Sequence, residues 1–258
     1  MLKVRVIPTL LWKDFGLVKG IGFDSWRRVG TVLPAIKVYN MREVDELIVL
    51  DICATRDKRQ PDVQSVSEFA QECFCPLTIG GGITSIEHVK QLLRAGADKV
   101  SVNSAAFDNP EIISDIAYKF GAQCVVVSID ARKTEAGNYE CFSHNGSRPT
   151  GWLVEQWARK VEALGAGEIM ICSVEQDGTM QGYDLELLKI VADCVSIPVI
   201  ASGGAGEYDD FLKAIEFANV SAVAAASIYH FTEKTPLEAK RYLAQNGVPV
   251  RSLNTSRC

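Results

Sequence analysis

The sequence has no run of apolar residues long enough to cross a bilayer, no low-complexity tract and only three histidines. A helical membrane span needs about 20 apolar residues, so no membrane partner is expected. The N-terminal Met1-Leu2-Lys3-Val4-Arg5 turns polar too early for a secretory leader, and the expected location is cytoplasmic. There is also no basic excess. Lys and Arg total 27 against 32 Asp and Glu, a net charge of −5, whereas nucleic-acid binders cluster cations on one face. No nucleic-acid partner is expected, though a small anion could still bind locally. His88, His144 and His230 share no ligand spacing, and the eight cysteines show no paired zinc pattern, Cys73 and Cys75 forming only a C-x-C. They read as reduced, structural thiols, with no metal and no cofactor.

What is present is the composition of an ordinary globular chain: 258 residues, 47% hydrophobic and 23% charged. That is enough for one large core. Short apolar runs alternate with amphipathic stretches, the pattern of parallel strands joined by crossover helices. Strands are predicted over Val4–Leu10, Leu47–Asp51, Pro76–Gly80, Lys99–Asn103, Cys124–Asp130, Ile169–Ser173, Pro198–Ser202 and Ala222–Ala226. Helices are predicted over Ile86–Ala95, Asn109–Phe120, Trp152–Leu164 and Leu185–Val195, with Gly96, Gly121 and Gly165 punctuating three helix ends. Eight such units predict an α/β fold, a single (β/α)8 TIM barrel in one domain over 1–258.

The two halves echo each other. Pro76-Leu-Thr-Ile-Gly-Gly-Gly82 matches Pro198-Val-Ile-Ala-Ser-Gly-Gly204, and Glu46 matches Glu168, each at a separation of 122 positions. Half-barrels are expected over about 1–122 and 123–245, followed by a short tail, 246–258. Each glycine run precedes a predicted helix, and glycine lets backbone amides close on an oxygen while the helix N-terminus favours negative charge. Gly81 and Gly82 with Asn103 and Ser104 form one candidate phosphate grip, and Gly203 and Gly204 with Ala226 and Ser227 the other. Glycines also serve tight turns, but duplication near strands three and four and strands seven and eight favours a ligand phosphorylated at both ends.

Lys19-Gly20, Leu50-Asp51, Ile79-Gly-Gly-Gly-Ile83, Leu93 through Ala105, Ile129-Asp130, Asp177-Gly-Thr179 and Ile200-Ala-Ser-Gly-Gly-Ala205 resemble, in matching order from about residue 4 to 231, the cyclase subunit of imidazole glycerol phosphate synthase. The resemblance implies a lyase subunit of a glutamine amidotransferase complex. Its glutaminase partner, in a heterodimer, supplies ammonia that crosses the barrel to a bis-phosphorylated ribonucleotide of histidine biosynthesis. It further implies catalytic roles for Asp130, Lys19 and Asp51, and places Asp177 and Gly178 with the phosphate-binding residues and Ser202 with supporting ones. The segment Tyr139–Gly151 resembles the family's hairpin over the mouth, a candidate lid. Met180 and Trp157 read as packing.

One departure stands out. The family's second catalytic carboxylate ends strand one, and Leu11 occupies that position here. Asp14, three residues on, is no obvious substitute, because the family also carries an acid near there. At the other end of the barrel, Arg5, Glu46, Lys99 and Glu168 stand at strand starts, where charges pointing inward must pair. A stabilising salt-bridge ring is the plain reading. The resemblance makes these four an ammonia gate facing the glutaminase, with Asp98 as an acid at that interface.

Three readings follow. The first is a paralogue that keeps dock, channel and phosphate grips while feeding ammonia elsewhere, as in amino- or amidino-sugar synthesis for O-antigen-type lipopolysaccharide, with a sugar amidotransferase as a further partner. The second is an authentic cyclase of histidine biosynthesis; the third is a non-catalytic, ligand-sensing activator of a glutaminase. A phosphosugar isomerase of the sister histidine-pathway barrel fits less well, since it too uses a strand-one carboxylate and needs no gate.

Overall fold

The computed structural model describes residues 3–14 and 16–251. Met1, Leu2, Cys258 and the tail from 252 onward lie outside the described residues. Strand β1 (Arg5–Lys13) leads into an antiparallel pair, β2 (Gly16–Ile21) and β3 (Asp24–Gly30), then α1 (Val32–Met41), β4 (Leu47–Asp51), α2 (Val63–Glu72), β5 (Leu77–Gly80), α3 (Ile86–Arg94), β6 (Lys99–Val102), α4 (Ser104–Asp108) and α5 (Glu111–Phe120). The second half begins with β7 (Val125–Lys133) and its own antiparallel pair, β8 (Tyr139–Ser143) and β9 (Arg148–Leu153). There follow α6 (Val154–Ala163), β10 (Glu168–Ser173), α7 (Leu185–Cys194), β11 (Val199–Ser202), α8 (Tyr208–Ala218), β12 (Ala222–Ala225), α9 (Ser227–Phe231) and α10 (Pro236–Gln245).

Eight of these strands pair in parallel in the order β10, β11, β12, β1, β4, β5, β6, β7, and β7 returns to β10 to close a barrel. Closure leaves no free edge and requires every strand to bury both faces. That is why the barrel strands read as apolar runs rather than as alternations. Their outward faces pack with the helices in one continuous core that includes Val6, Leu10, Val49, Val127, Ile171 and Trp157. Inside the barrel Ile7, Ile48, Val126, Met170, Ile200, Ala222 and Ala224 form a separate apolar layer, with Leu50 packed against it. Among the described residues no helix is long and apolar enough to cross a membrane.

Four elements differ from the sequence expectation by two residues or more, each for a local reason. β1 and β7 run three residues past Leu10 and Asp130, because beyond the barrel rim each continues into an antiparallel hairpin, Trp12 facing Leu17 and Lys133 facing Tyr139. The expected helix Asn109–Phe120 starts at Glu111 instead, because a residue before proline is pushed out of the helical region, and Asn109 stands at φ −142. The expected helix from Trp152 begins instead at Val154, since Trp152 and Leu153 are still in β9. Gly96, Gly121 and Gly165 do take the left-handed φ that ends a helix. Past α10, Val4 bridges to Val250, fastening the chain's end beside β1.

Candidate active site and ion-pair ring

The interior is stacked in layers by the two-residue period of a strand. At the N-terminal end of the strands, Arg5, Glu46, Lys99 and Glu168 meet. The Arg5 guanidinium lies 2.8 Å from Glu46 and 3.0 Å from Glu168, and the Lys99 ammonium lies 3.0 Å and 3.1 Å from the same two carboxylates. Each cation touches both anions, so the ring closes with its charges balanced. Glu46 also accepts a hydrogen bond from the Thr78 hydroxyl at 2.8 Å, a partner the sequence did not point to. Exposed Asp98 holds the start of β5 by accepting the Leu77 N–H at 2.8 Å. Directly above the ring comes the apolar layer from Ile7 to Ala224, and above that the hydroxyls of Thr9, Ser101 and Ser128 face the mouth cleft.

That cleft, about 1310 Å³ out to its open rim, reaches from Gly81 and Ser104 on one side to Gly203 and Ser227 on the other. The glycine turns are needed by the fold itself: a Cβ on Gly81 would stand 2.2 Å from the Asp51 carbonyl oxygen, and one on Gly204 would stand 2.1 Å from that of Gly182. Asn103 and Ala226 precede the short helices α4 and α9 with similar unusual backbone (φ −135, ψ −88 and φ −124, ψ −62), so the two grips are built alike. The first N–H groups of each helix lack intrahelical acceptors, as in any helix. Ser227 Oγ is buried with no hydrogen-bond partner, while Ser104 Oγ accepts the His144 N–H at 3.0 Å.

Asp130 ends the barrel section of β7, 8% exposed, and accepts a hydrogen bond from Asn103 Nδ2 at 2.8 Å. Burial lifts its carboxyl to about 7, Asn103 opposing the shift and the Asp177 charge adding to it. A carboxyl titrating there is suited to giving and taking protons near neutral pH. The registers relate it to the other half. Leu11 pairs with Leu50 as Asp130 pairs with Cys172, and Thr9 pairs with Ile48 as Ser128 pairs with Met170. Leu11 therefore occupies the pseudo-twofold mate of Asp130.

Four further candidates, Asn103, Asp177, Lys19 and Asp51, all line the cleft, and each makes contacts of its own there. Asn103, placed with the phosphate ligands, spends its amide on Asp130, although its Oδ1 is buried and unpartnered. Asp177, also placed there, accepts from Lys19 Nζ at 2.6 Å and donates its own N–H to the Ser173 carbonyl. Burial pushes its carboxyl up, against the pull of Lys19. Lys19, expected as catalytic, sits on β2, 2% exposed, and clamps that hairpin to Asp177. Asp51 accepts the Cys53 and Ala54 N–H groups at 2.9 and 3.0 Å and the two terminal Arg59 nitrogens, contacts that shape the loop after β4.

Both hairpins cover the mouth. The expected one, β8–β9, brings Asn145 to the cleft, where its side-chain amide donates to the Ile52 carbonyl. The other, β2–β3, was not foreseen beyond Lys19. It carries Phe23 and Trp26 into the cleft, donates the Gly22 N–H to the Asp177 carbonyl at 2.8 Å, and sets Arg27 over the Phe231 ring at 3.8 Å. Its polar, glycine-punctuated residues gave no apolar run from which to read strands. His230, next to Phe231, is lowered to about 4 by burial and by the Lys19 charge, so it is neutral at ordinary pH. Residues 5–235 match the family described as Histidine biosynthesis protein, nearly the whole barrel. With closed (β/α)8 topology and a cleft at the C-terminal ends of its strands, the chain belongs to this histidine biosynthesis family of barrel enzymes.

Proposed function

We propose that this barrel receives ammonia from a glutaminase docked at the ion-pair ring and delivers it to a phosphorylated acceptor in the mouth, with its own histidine-pathway cyclisation weakened. The observation that carries the reading is an asymmetry: of two pseudo-equivalent strand ends, Asp130 is acidic and Leu11 is not, while the ring below is complete. Cyclisation in this family is expected to use an acid and a base on opposite sides of the ligand. One group transfers protons here, and loss of a general acid or base costs about 10²- to 10⁴-fold in rate. Addition of ammonia to an activated acceptor needs one group that takes a proton and returns it, and Asp130 near pH 7 suits that. Ammonia crosses the apolar layer as a neutral molecule, whereas ammonium would be stopped by the cost of leaving water. The phosphates of the acceptor are assigned to Gly81, Gly82 and Ser104, and to Gly178, Gly203, Gly204, Ala226 and Ser227. The acceptor class that fits best is a phosphorylated sugar derivative, passed on to a sugar amidotransferase for surface-polysaccharide synthesis.

The test is ammonia-dependent formation of imidazole glycerol phosphate from the histidine-pathway ribonucleotide by the purified chain. Turnover at least about 10²-fold below that of a cyclase bearing both carboxylates is expected; full turnover would refute the proposal. That result would support a second reading, an authentic cyclase in which Asp130 serves first as acid and then as base, a dual use favoured by its titration near neutrality.

A further inference from the structure

The seven cysteines among the described residues are all free thiols, and two of them stand apart by geometry. Cys73 ends α2 and Cys75 precedes β5, both half-buried, with their Sγ atoms 3.7 Å apart. Between them Phe74 is 84% exposed, and its N–H donates to Asn40 Oδ1 at 3.1 Å, which fixes the turn. Beside Cys75 opens a cleft lined by Asn40, Glu43, Val44, Phe74, Lys240 and Arg251, with Glu43 and Arg251 as opposite charges on its wall. Among the described residues no group of three or more His, Cys, Asp or Glu is placed to hold a metal, so the thiols have each other as their natural partner.

We propose that Cys73 and Cys75 form a reversible disulfide by exchange with a low-molecular-weight disulfide. The Cys73 thiolate attacks one sulfur of R–S–S–R, forming a Cys73–S–S–R bond and releasing RS⁻. Cys75 then loses its proton and attacks the Cys73 sulfur, releasing the second RS⁻. The protein gives up two electrons and two protons, and the small disulfide becomes two thiols. Cys73 is the first nucleophile because its hydrogen bond with Cys75 holds it below the ordinary thiol range, while the same shared proton and burial raise Cys75. Ring closure needs the sulfurs to approach from contact to bonding distance, about 2.05 Å. Burial raises Cys124 and Cys194, which therefore serve as internal controls.

The experiment treats the full chain with oxidised glutathione, quenches in acid and maps peptides by mass. The peptide holding Cys73 and Cys75 is expected to lose the mass of two hydrogens at least tenfold faster than Cys124 or Cys194 is modified, and to regain it with dithiothreitol. In Cys75→Ser a stable glutathione adduct should accumulate at Cys73. Persistent adducts on the wild-type pair, linkage of either residue to another cysteine, or rates equal to those of Cys124 and Cys194 would each overturn the proposal. The wild-type map decides even if the variant does not fold.

Discussion

The two halves of the mouth are built on one plan and filled with different chemistry. On the β6–β7 side Asn103 donates to Asp130; on the β12–β1 side the mates of those residues are Ala226 and Leu11. Backbone, glycine turns and short helices are alike on both sides, and each half throws an antiparallel hairpin over the cleft. The polar pair is thus separable from the scaffold that carries it. Backbone amides come with the scaffold and are present on both sides, whereas an acidic side chain is present on one side alone.

The largest test of that separation is Leu11→Asp. Restoring an acid opposite Asp130 should raise ammonia-dependent cyclisation by about 10²-fold or more, read as steady-state product formation. An unchanged rate would show that the apolar half is not what limits the reaction. Next comes the cost of the one acid that remains. The folded Asp130 titrates at about 7 against 3.8 unperturbed. Because its folded pKa is raised, the stability it contributes is fully present below about 4 and is lost as pH rises through 7. At 1.36 kcal/mol per unit, the advantage of wild type over Asp130→Asn should shrink by roughly 4 kcal/mol between those limits, measured by urea unfolding at both. A difference independent of pH would mean that Asp130 is not titrating in that window.

The barrel was legible because eight buried strands need apolar runs and eight crossovers need amphipathic ones, and Leu47–Asp51 was read to the residue. The ring was legible because charge at a strand start has few places to go, and Leu11 because a resemblance supplied the expectation it breaks. The partners of Asn103, Asp177, Lys19 and Asp51 were not, since which polar groups satisfy each other is decided by register between distant strands. Lys19 finds Asp177 across 158 positions, and Asn103 finds Asp130 across 27. The β2–β3 lid escaped for a related reason: its strands are held by the β1 extension and by Asp177, not by an apolar run of their own.

A smaller effect is expected from Asn103→Ala, which gives the polar half the side chain already present at Ala226. A hydrogen bond to a charged group contributes about 1.5–3 kcal/mol, so its removal should move the Asp130 titration up by about one to two units. Carbon NMR of the labelled carboxyl, or the inflection of the pH–rate profile, reads the shift. The mirror change, Ala226→Asn, should leave Asp130 where it is. A shift in both variants would show that the halves are coupled through the ligand cleft.

The smallest effect concerns how the β2–β3 hairpin is fastened on the apolar side. Arg27 is exposed and stacks over Phe231, which lies on the helix that starts at Ser227 in the second grip. At an exposed site such a contact is worth about 0.5–1 kcal/mol, a two- to fivefold change in an equilibrium. If the proposed acceptor binds in the cleft, Phe231→Ala should raise its KM by about that factor and leave kcat unchanged, because the contact fastens the hairpin. Arg27→Ala should do the same, and the double variant no more than either single one. Additive effects would break the assignment, since they would mean that Phe231 acts through α9 and the phosphate grip rather than through the lid.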